Sequence, residues 1–214
     1  MNDLSSFDLA ADLTPDFFRN YRQHGEILPI ITYPHPTLKK KAVQVTEFNI
    51  ELRHLCRNLL FTMYAAPGLG LAAPQVNISQ RIFVCDTTYE REEKVLPSGA
   101  TAVELKKFHP QVFINPIITP LSDEMMTHEE GCLSVPQIFE EVKRYKDIKI
   151  VYQDPWGERQ EEELHDLAAI CAQHEFDHLE GHIFLERLGL LKRQLAFKKY
   201  RKQQKEAAAH HSAS

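Results

Sequence analysis

The sequence predicts an α+β fold. Short strand-like runs, "RIFVCD", "QVFINPIIT" and "KDIKIVYQD", fill the middle of the chain, and a buried helix carrying an H-E-x-x-H pattern follows them. Strands and helices do not alternate as a βαβ architecture requires.

Residues 1–27 read as a loosely attached arm, with a short helix expected over about Asp16–Gln23 behind Pro15. "ILPIITYPHPTLKK" opens the core in extended form, because Pro29, Pro34 and Pro36 exclude a helix there. A helix is predicted over roughly 49–64, where Leu52, Leu55, Cys56, Leu59, Leu60 and Met63 recur at helical spacing and Asn49 can cap the start. "PGLGLAAPQ" breaks that helix, and "RIFVCD" is a short strand of buried character. Residues 87–110, polar and holding Pro97 and Gly99, read as a long surface insertion. Pro116 within "QVFINPIIT" places that strand at an edge or at a bulge. Ile148, Ile150 and Tyr152 alternate along the next strand before a turn at "DPWG". The motif helix is predicted from Asp166, an N-cap, to Gly181, a C-terminal stop. A third, charged helix is predicted over about 188–208, and "AAAHHSAS" reads as a disordered end.

At 214 residues the chain fits one domain, and 43% apolar residues with twelve Phe and seven Tyr supply a real core. A net charge of −5 makes no global case for nucleic acid or an anionic membrane. Cys56, Cys85, Cys132 and Cys171 form no C-x-x-C pair and read as thiols of a reducing compartment. The N-terminus lacks a basic and an apolar signal region, and no apolar run is long enough to span a bilayer. A soluble, cytoplasmic, monomeric protein is expected, without internal repeats.

"AQHEFDHLEGH" (172–182) carries the chemistry. His174 and His178 stack on one helical face, about 6 Å apart along the axis, and can grip one metal ion while Glu175 handles a proton. Leu167, Ala168, Ala169, Ile170 and Ala172 make this helix a buried one, so its polar residues need a metal or hydrogen-bond partners. Catalytic sites of this kind use three protein ligands and keep a position for water. The metzincin pattern wants a further His ten residues after the first. Position 184 is Phe, and His182 comes two residues too early. Glu186 and Glu206 are the carboxylates left downstream for a gluzincin-type site. Cys171 lies one turn before His174 but about 10 Å from His178, and reads as a packed core thiol. Cys132, in the loop-like "HEEGCLSVPQ", can swing toward the pair, and spacing alone leaves it a plausible ligand.

"GLGLAAPQ" (68–75), "EGCLS" (130–134) and "HEFDH" (174–178), in that order, resemble the three signature motifs of the peptide deformylases. The resemblance spans roughly residues 28–190, leaving the arm before it and a basic C-terminal helix and tail, 191–214, behind it. It implies antiparallel strands wrapped around a central helix that bears the H-E-x-x-H motif. It also implies metal ligation by Cys132, His174 and His178, with Glu175 as general acid and base. The Gln75 amide and the Leu133 backbone N–H are the implied oxyanion donors. Leu69 and Gly70 would bind substrate, with Gly68 and Gly70 letting a peptide backbone approach as an added strand. Glu130 can orient a ligating histidine, whereas surface hydrogen bonding is the default expectation for Asp177.

The implied activity removes formate from the N-formyl-methionine end of newly made polypeptides. The implied ion is Fe²⁺, although Zn²⁺, Ni²⁺ and Co²⁺ suit the same donors. Asp166 departs from the family pattern, since many members carry Gly just before the motif helix. "KRQLAFKKYRKQQK" (192–205) holds seven basic residues and no acid. It is either a solvated helix face or a ribosome contact on rRNA phosphates. Two other readings stand beside the deformylase: an H-E-x-x-H metallopeptidase, and a catalytically silent, ribosome-associated protein that kept the fold.

Overall fold

The computed structural model describes residues 25–95 and 101–211. The helix expected over Asp16–Gln23 lies outside the described residues. Every strand pairing between named strands is antiparallel. Five strands form the main sheet: β1 (Gly70–Ala72), β2 (Ile82–Cys85), β5 (Gln111–Pro120), β8 (Asp147–Gln153) and β9 (Arg159–His165). Their order in space is the same as their order in the chain. Two separate hairpins complete the strands, β3 (Glu90–Val95) with β4 (Thr101–Lys106), and β6 (Met125–Cys132) with β7 (Val135–Tyr145). Helices α1 (Ile50–Ala65), α2 (Asp166–Leu179) and α3 (Leu190–His211) supply the rest, with short 3-10 turns between. No helix among the described residues is long and apolar enough to cross a membrane.

Helix α1 starts where expected, with the Asn49 side chain accepting a hydrogen bond from the Leu52 N–H at 3.0 Å. Its buried stripe of Leu52, Cys56, Leu59, Leu60 and Met63 packs against one face of the sheet, together with Leu71, Ile82 and Val84. Helix α2 covers the other face, where Ala72, Phe83, Cys85, Phe113, Ile148 and Ile150 meet Ala169 and Ala172. Strand β2 is therefore buried on both sides, alternate residues facing opposite helices, which is why it reads as a continuous apolar run. Pro116 resolves to the bulge. The β5–β8 register slips between Ile114 and Ile117, and β5 lies at the centre of the sheet.

Three expectations are corrected. Residues 87–110 are not a structureless insertion: they hold the β3–β4 hairpin. The hairpin carries opposite-charge pairs across its strands, Lys106–Glu92 at 2.5 Å and Lys94–Glu104 among them. Strand β3, "EREEKV", is charged at nearly every position and lacks the apolar alternation by which a strand is recognised, although Leu105 of β4 is buried in the core. Asp166 does not cap α2. His165 flanks the helix with no side-chain cap, and Asp166 itself has φ +48°, a left-handed conformation that favours glycine and that Asp tolerates better than most residues. At the other end Gly181 stops the helix as expected, with φ +76°. Finally, α3 extends to His211, beyond the point where a disordered end was expected. It is anchored by buried Ala196 and Tyr200, and the Tyr200 hydroxyl donates to the Tyr33 carbonyl at 2.7 Å.

Candidate metal centre

Helix α2 crosses behind β1 and meets the tip of the β6–β7 hairpin, which brings three separate stretches of sequence together. His174 and His178 stand one turn apart with ring centroids 5.2 Å apart. Cys132 is the last residue of β6 rather than part of a loop. A register shift between Gly131 and Cys132 turns the strand there, and the Cys132 Sγ lies 3.3 Å from His178 Nε2. One ligand atom from each of Cys132, His174 and His178 lies within 4.8 Å of the other two, and no other His, Cys, Asp or Glu group among the described residues is gathered in this way. Cys171 is outside this group. His182 is exposed and faces Glu186 at 3.3 Å. Phe184, where a metzincin would place its third His, packs its ring on His174 with centroids 5.8 Å apart.

The charge around the cluster suits a cation. His174 Nδ1 lies 2.7 Å from a Glu130 carboxylate oxygen, so the ring proton belongs on Nδ1 and the Nε2 lone pair faces the other ligands. Burial opposes a charge on His174, yet Cys132 and Glu130 raise its pKa well above the ordinary value, so this corner favours positive charge, which an ion in place of the Nε2 proton would supply. Burial, followed by the neighbouring His174, lowers His178 to about 3 and keeps it a neutral donor. A thiol and two imidazoles, one held ready by a carboxylate, fit a borderline divalent ion.

Glu130 is in turn held by Arg144 of β7, through Nε at 2.5 Å and Nη2 at 2.9 Å. The same guanidinium donates from Nη1 to Asp177 at 2.9 Å, and Arg187 also pairs with Asp177. Asp177 therefore does far more than meet water: it is buried and ties the motif helix to the hairpin that carries Cys132. Burial opposes the ionised form of Glu130, but Arg144 and His174 overcome it and hold the carboxyl at about 2. Arg144 and Arg187 were missed from sequence. A buried Asp177 demands a cationic partner, but nothing in the spacing selects which arginine supplies it.

Glu175 sits in a different setting on the same helix. Burial pushes its carboxyl up to about 7, and its Oε2 has no hydrogen-bond partner among the described residues. Such a group can both take and return a proton near neutrality. Gly70 is part of the reason it fits, since a Cβ on Gly70 would lie 2.5 Å from the Glu175 Oε1. The buried Gln75 side chain is fixed by accepting from the Ala72 N–H at 2.8 Å, which aims its Nε2 at Cys132 Sγ, 3.5 Å away. Leu133 follows Cys132 at the hairpin corner. An open cavity of about 460 Å³ brings Leu69, Gly70, Leu133, Glu130 and Ile170 around Cys132, His174 and Glu175.

The polypeptide deformylase family model matches residues 27–194. The chain belongs to the peptide deformylase family. The peptide deformylase of Phenylobacterium zucineum is 43% identical over 181 residues, covering 85% of this chain and 99% of that relative. That of Campylobacter jejuni is 43% identical over 176 residues, covering 82% of this chain and 94% of its own length. The crystal structure of a peptide deformylase from Legionella pneumophila superposes with a TM-score of 0.72 at 34% identity, covering 86% of this chain and 98% of the other. The deformylase fold, antiparallel strands around a central motif helix with a further helix at the C-terminal end, is the one described above.

Proposed function

We propose that this deformylase hydrolyses the N-formyl amide of new polypeptides with Cys132, His174 and His178 holding one ion and Glu175 moving the proton. When bound, the divalent ion supplies Lewis acidity to the scissile amide and to the attacking water. Glu175 accepts the water's proton and returns it to the leaving amine, so that formate and a free amino terminus result. Burial, which pushes the Glu175 carboxyl up to about 7, suits both halves of that task, and the convergence of Cys132, His174 and His178 within 4.8 Å beside it carries the proposal. The Gln75 Nε2 and the Leu133 backbone N–H donate to the oxygen that gains charge in the tetrahedral intermediate. Glu130 keeps His174 in the ligating tautomer. The substrate backbone lies along Leu69 and Gly70, extending the sheet beyond β1, its edge strand.

The donors suit Fe²⁺ as the working ion, with Zn²⁺, Ni²⁺ or Co²⁺ as substitutes. A monomer working in the cytoplasm is part of the same proposal. The catalytic unit proposed is 28–190. The 191–214 helix and tail offer a ribosome contact: Leu190, Leu191 and Leu195 are 74, 71 and 59% exposed on a helix rich in Lys and Arg, a surface suited to rRNA phosphates and adjoining apolar protein. The intact convergence of Gln75, Cys132, His174, Glu175 and His178 argues against a silent protein, and Phe184 argues against a metallopeptidase of the metzincin kind.

Formate release from a formyl-methionyl peptide by the metal-loaded protein tests the reading. Glu175→Gln is expected to slow release about 10²–10⁴-fold while elemental analysis still finds the ion. Cys132→Ser is expected to lose the ion. Wild-type turnover in Glu175→Gln would overturn the assignment.

A further inference from the structure

Two of the four cysteines meet across the interface between sheet and motif helix. Cys85 ends β2 and faces α2, and Cys171 stands on α2 one turn before His174. Their sulfurs are 3.1 Å apart although 86 residues separate them in sequence, which is why the pair is invisible in the cysteine spacing. A disulfide has an S–S length of about 2.05 Å, so closure needs an approach of only about 1 Å. Both thiols are buried, at 3% and 7% exposure, but Cys171 also lines the substrate cavity, so a small molecule in that cavity reaches its sulfur first. Cys56 belongs to the core on the opposite face of the sheet and cannot compete.

We infer that Cys85 and Cys171 form a reversible oxidation site, in which a hydroperoxide entering through the substrate cavity is reduced and the two thiols are joined as a disulfide. The Cys171 Sγ attacks the terminal peroxide oxygen, the O–O bond breaks, and the departing oxyanion carries off the thiol proton, as water from hydrogen peroxide or as an alcohol from an organic hydroperoxide, leaving a sulfenic acid. The Cys85 Sγ then displaces the sulfenic hydroxyl, which leaves with the second thiol proton as water, and the S–S bond forms. Two electrons pass from the thiols to the peroxide. The hydrogen bond from Cys85 and burial together hold the Cys171 thiol pKa well above the ordinary value, so the pair stays protonated and its oxidation is slow. Once formed, the disulfide ties the helix that bears His174, Glu175 and His178 to β2, and turnover falls until a dithiol reduces it.

The test treats the metal-loaded full chain with hydrogen peroxide, blocks free thiols, and maps peptides without reductant. The expected result is a peptide pair linked through Cys85 and Cys171, two hydrogen masses lighter than the separate thiols. It should be suppressed when a methionyl product peptide fills the cavity, and it should come with a loss of formate release that dithiothreitol restores. Cys85→Val, a substitution in the sheet away from the proposed catalytic groups, should retain basal turnover and lack the dithiothreitol-recoverable loss. Free Cys171 after treatment, a linkage indifferent to the product peptide, or an equal recoverable loss in Cys85→Val, which would place the oxidation at Cys132, each overturns the proposal.

Discussion

The two small hairpins of this molecule use the same charged residue types to opposite effect. On β3–β4, Lys106 faces Glu92 at 2.5 Å and Lys107 faces Glu90 at 2.8 Å, with all four side chains between 42 and 72% exposed. On β6–β7, Arg144 faces Glu130 at the same 2.5 Å, and both side chains are 4% exposed or less. Distance alone does not separate them; water does. An exposed pair exchanges solvation for attraction with little net change. A buried pair gains little over an apolar substitute, yet losing one partner leaves an uncompensated charge in the interior. The first hairpin can tolerate losing a charge. The second cannot, and it is the one that carries Cys132.

The sharpest way to break the comparison is Arg144→Met, which leaves Glu130 and Asp177 without their shared cation. A loss of about 3–5 kcal/mol is expected, read from the urea midpoint at neutral pH. Metal affinity should fall about 10–100-fold, read by chelator competition, because Glu130, no longer fixed by Arg144, holds His174 less firmly. If stability and metal content were both unchanged, the network would be incidental to the site.

Acid separates the two carboxylates of the centre. Glu130 titrates at about 2 in the fold against a reference of 4.5, so its contribution is complete above about pH 4.5 and is lost as pH falls toward 2. That difference corresponds to about 3 kcal/mol, and Asp177, also lowered, adds with the same sign. Glu175 runs the other way. Its folded value of about 7 lies above the reference, so its contribution is present below about pH 4.5 and is lost as pH rises through 7. Urea midpoints of wild type and Glu130→Gln should converge as pH falls from 5 to about 2.5. Those of wild type and Glu175→Gln should diverge between about pH 5 and 8, with the variant the more stable.

The two hairpins also mark how much was legible in the sequence. The motif residues could be read because chemistry restricts them: a His pair on a buried helix needs a partner, and three ordered motifs named the rest. Helix α1 and strand β2 could be read because each has an apolar pattern with one period. The β3–β4 hairpin could not, because β3 shows charged residues on both faces and leaves β4 without a recognisable partner. Arg144 could not either, since in "EVKRYKD" it looks like any other charge on a strand, and only the packing of β7 against α2 shows it is buried. Asp166 was misread for a related reason: a good capping residue at the right place concealed a left-handed backbone.

A smaller effect probes the contact between the exposed hairpin and the site. The Tyr89 hydroxyl, at the foot of β3, donates to the Gly68 carbonyl at 3.0 Å, and Gly68 lines the cavity. Tyr89→Phe removes one half-buried hydrogen bond, worth about 1 kcal/mol. The expected kinetic signature is a raised KM with kcat nearly unchanged, because the strand that receives substrate is loosened while Glu175 and the ligands stay in place. Lys106→Ala should do less still. Its ammonium stands in water, so the urea midpoint and the rate of formate release should both match wild type within error. A clear loss from Lys106→Ala would mean that the exposed charge ladder stiffens β3 enough to position Tyr89, and the contrast between the hairpins would then be one of degree.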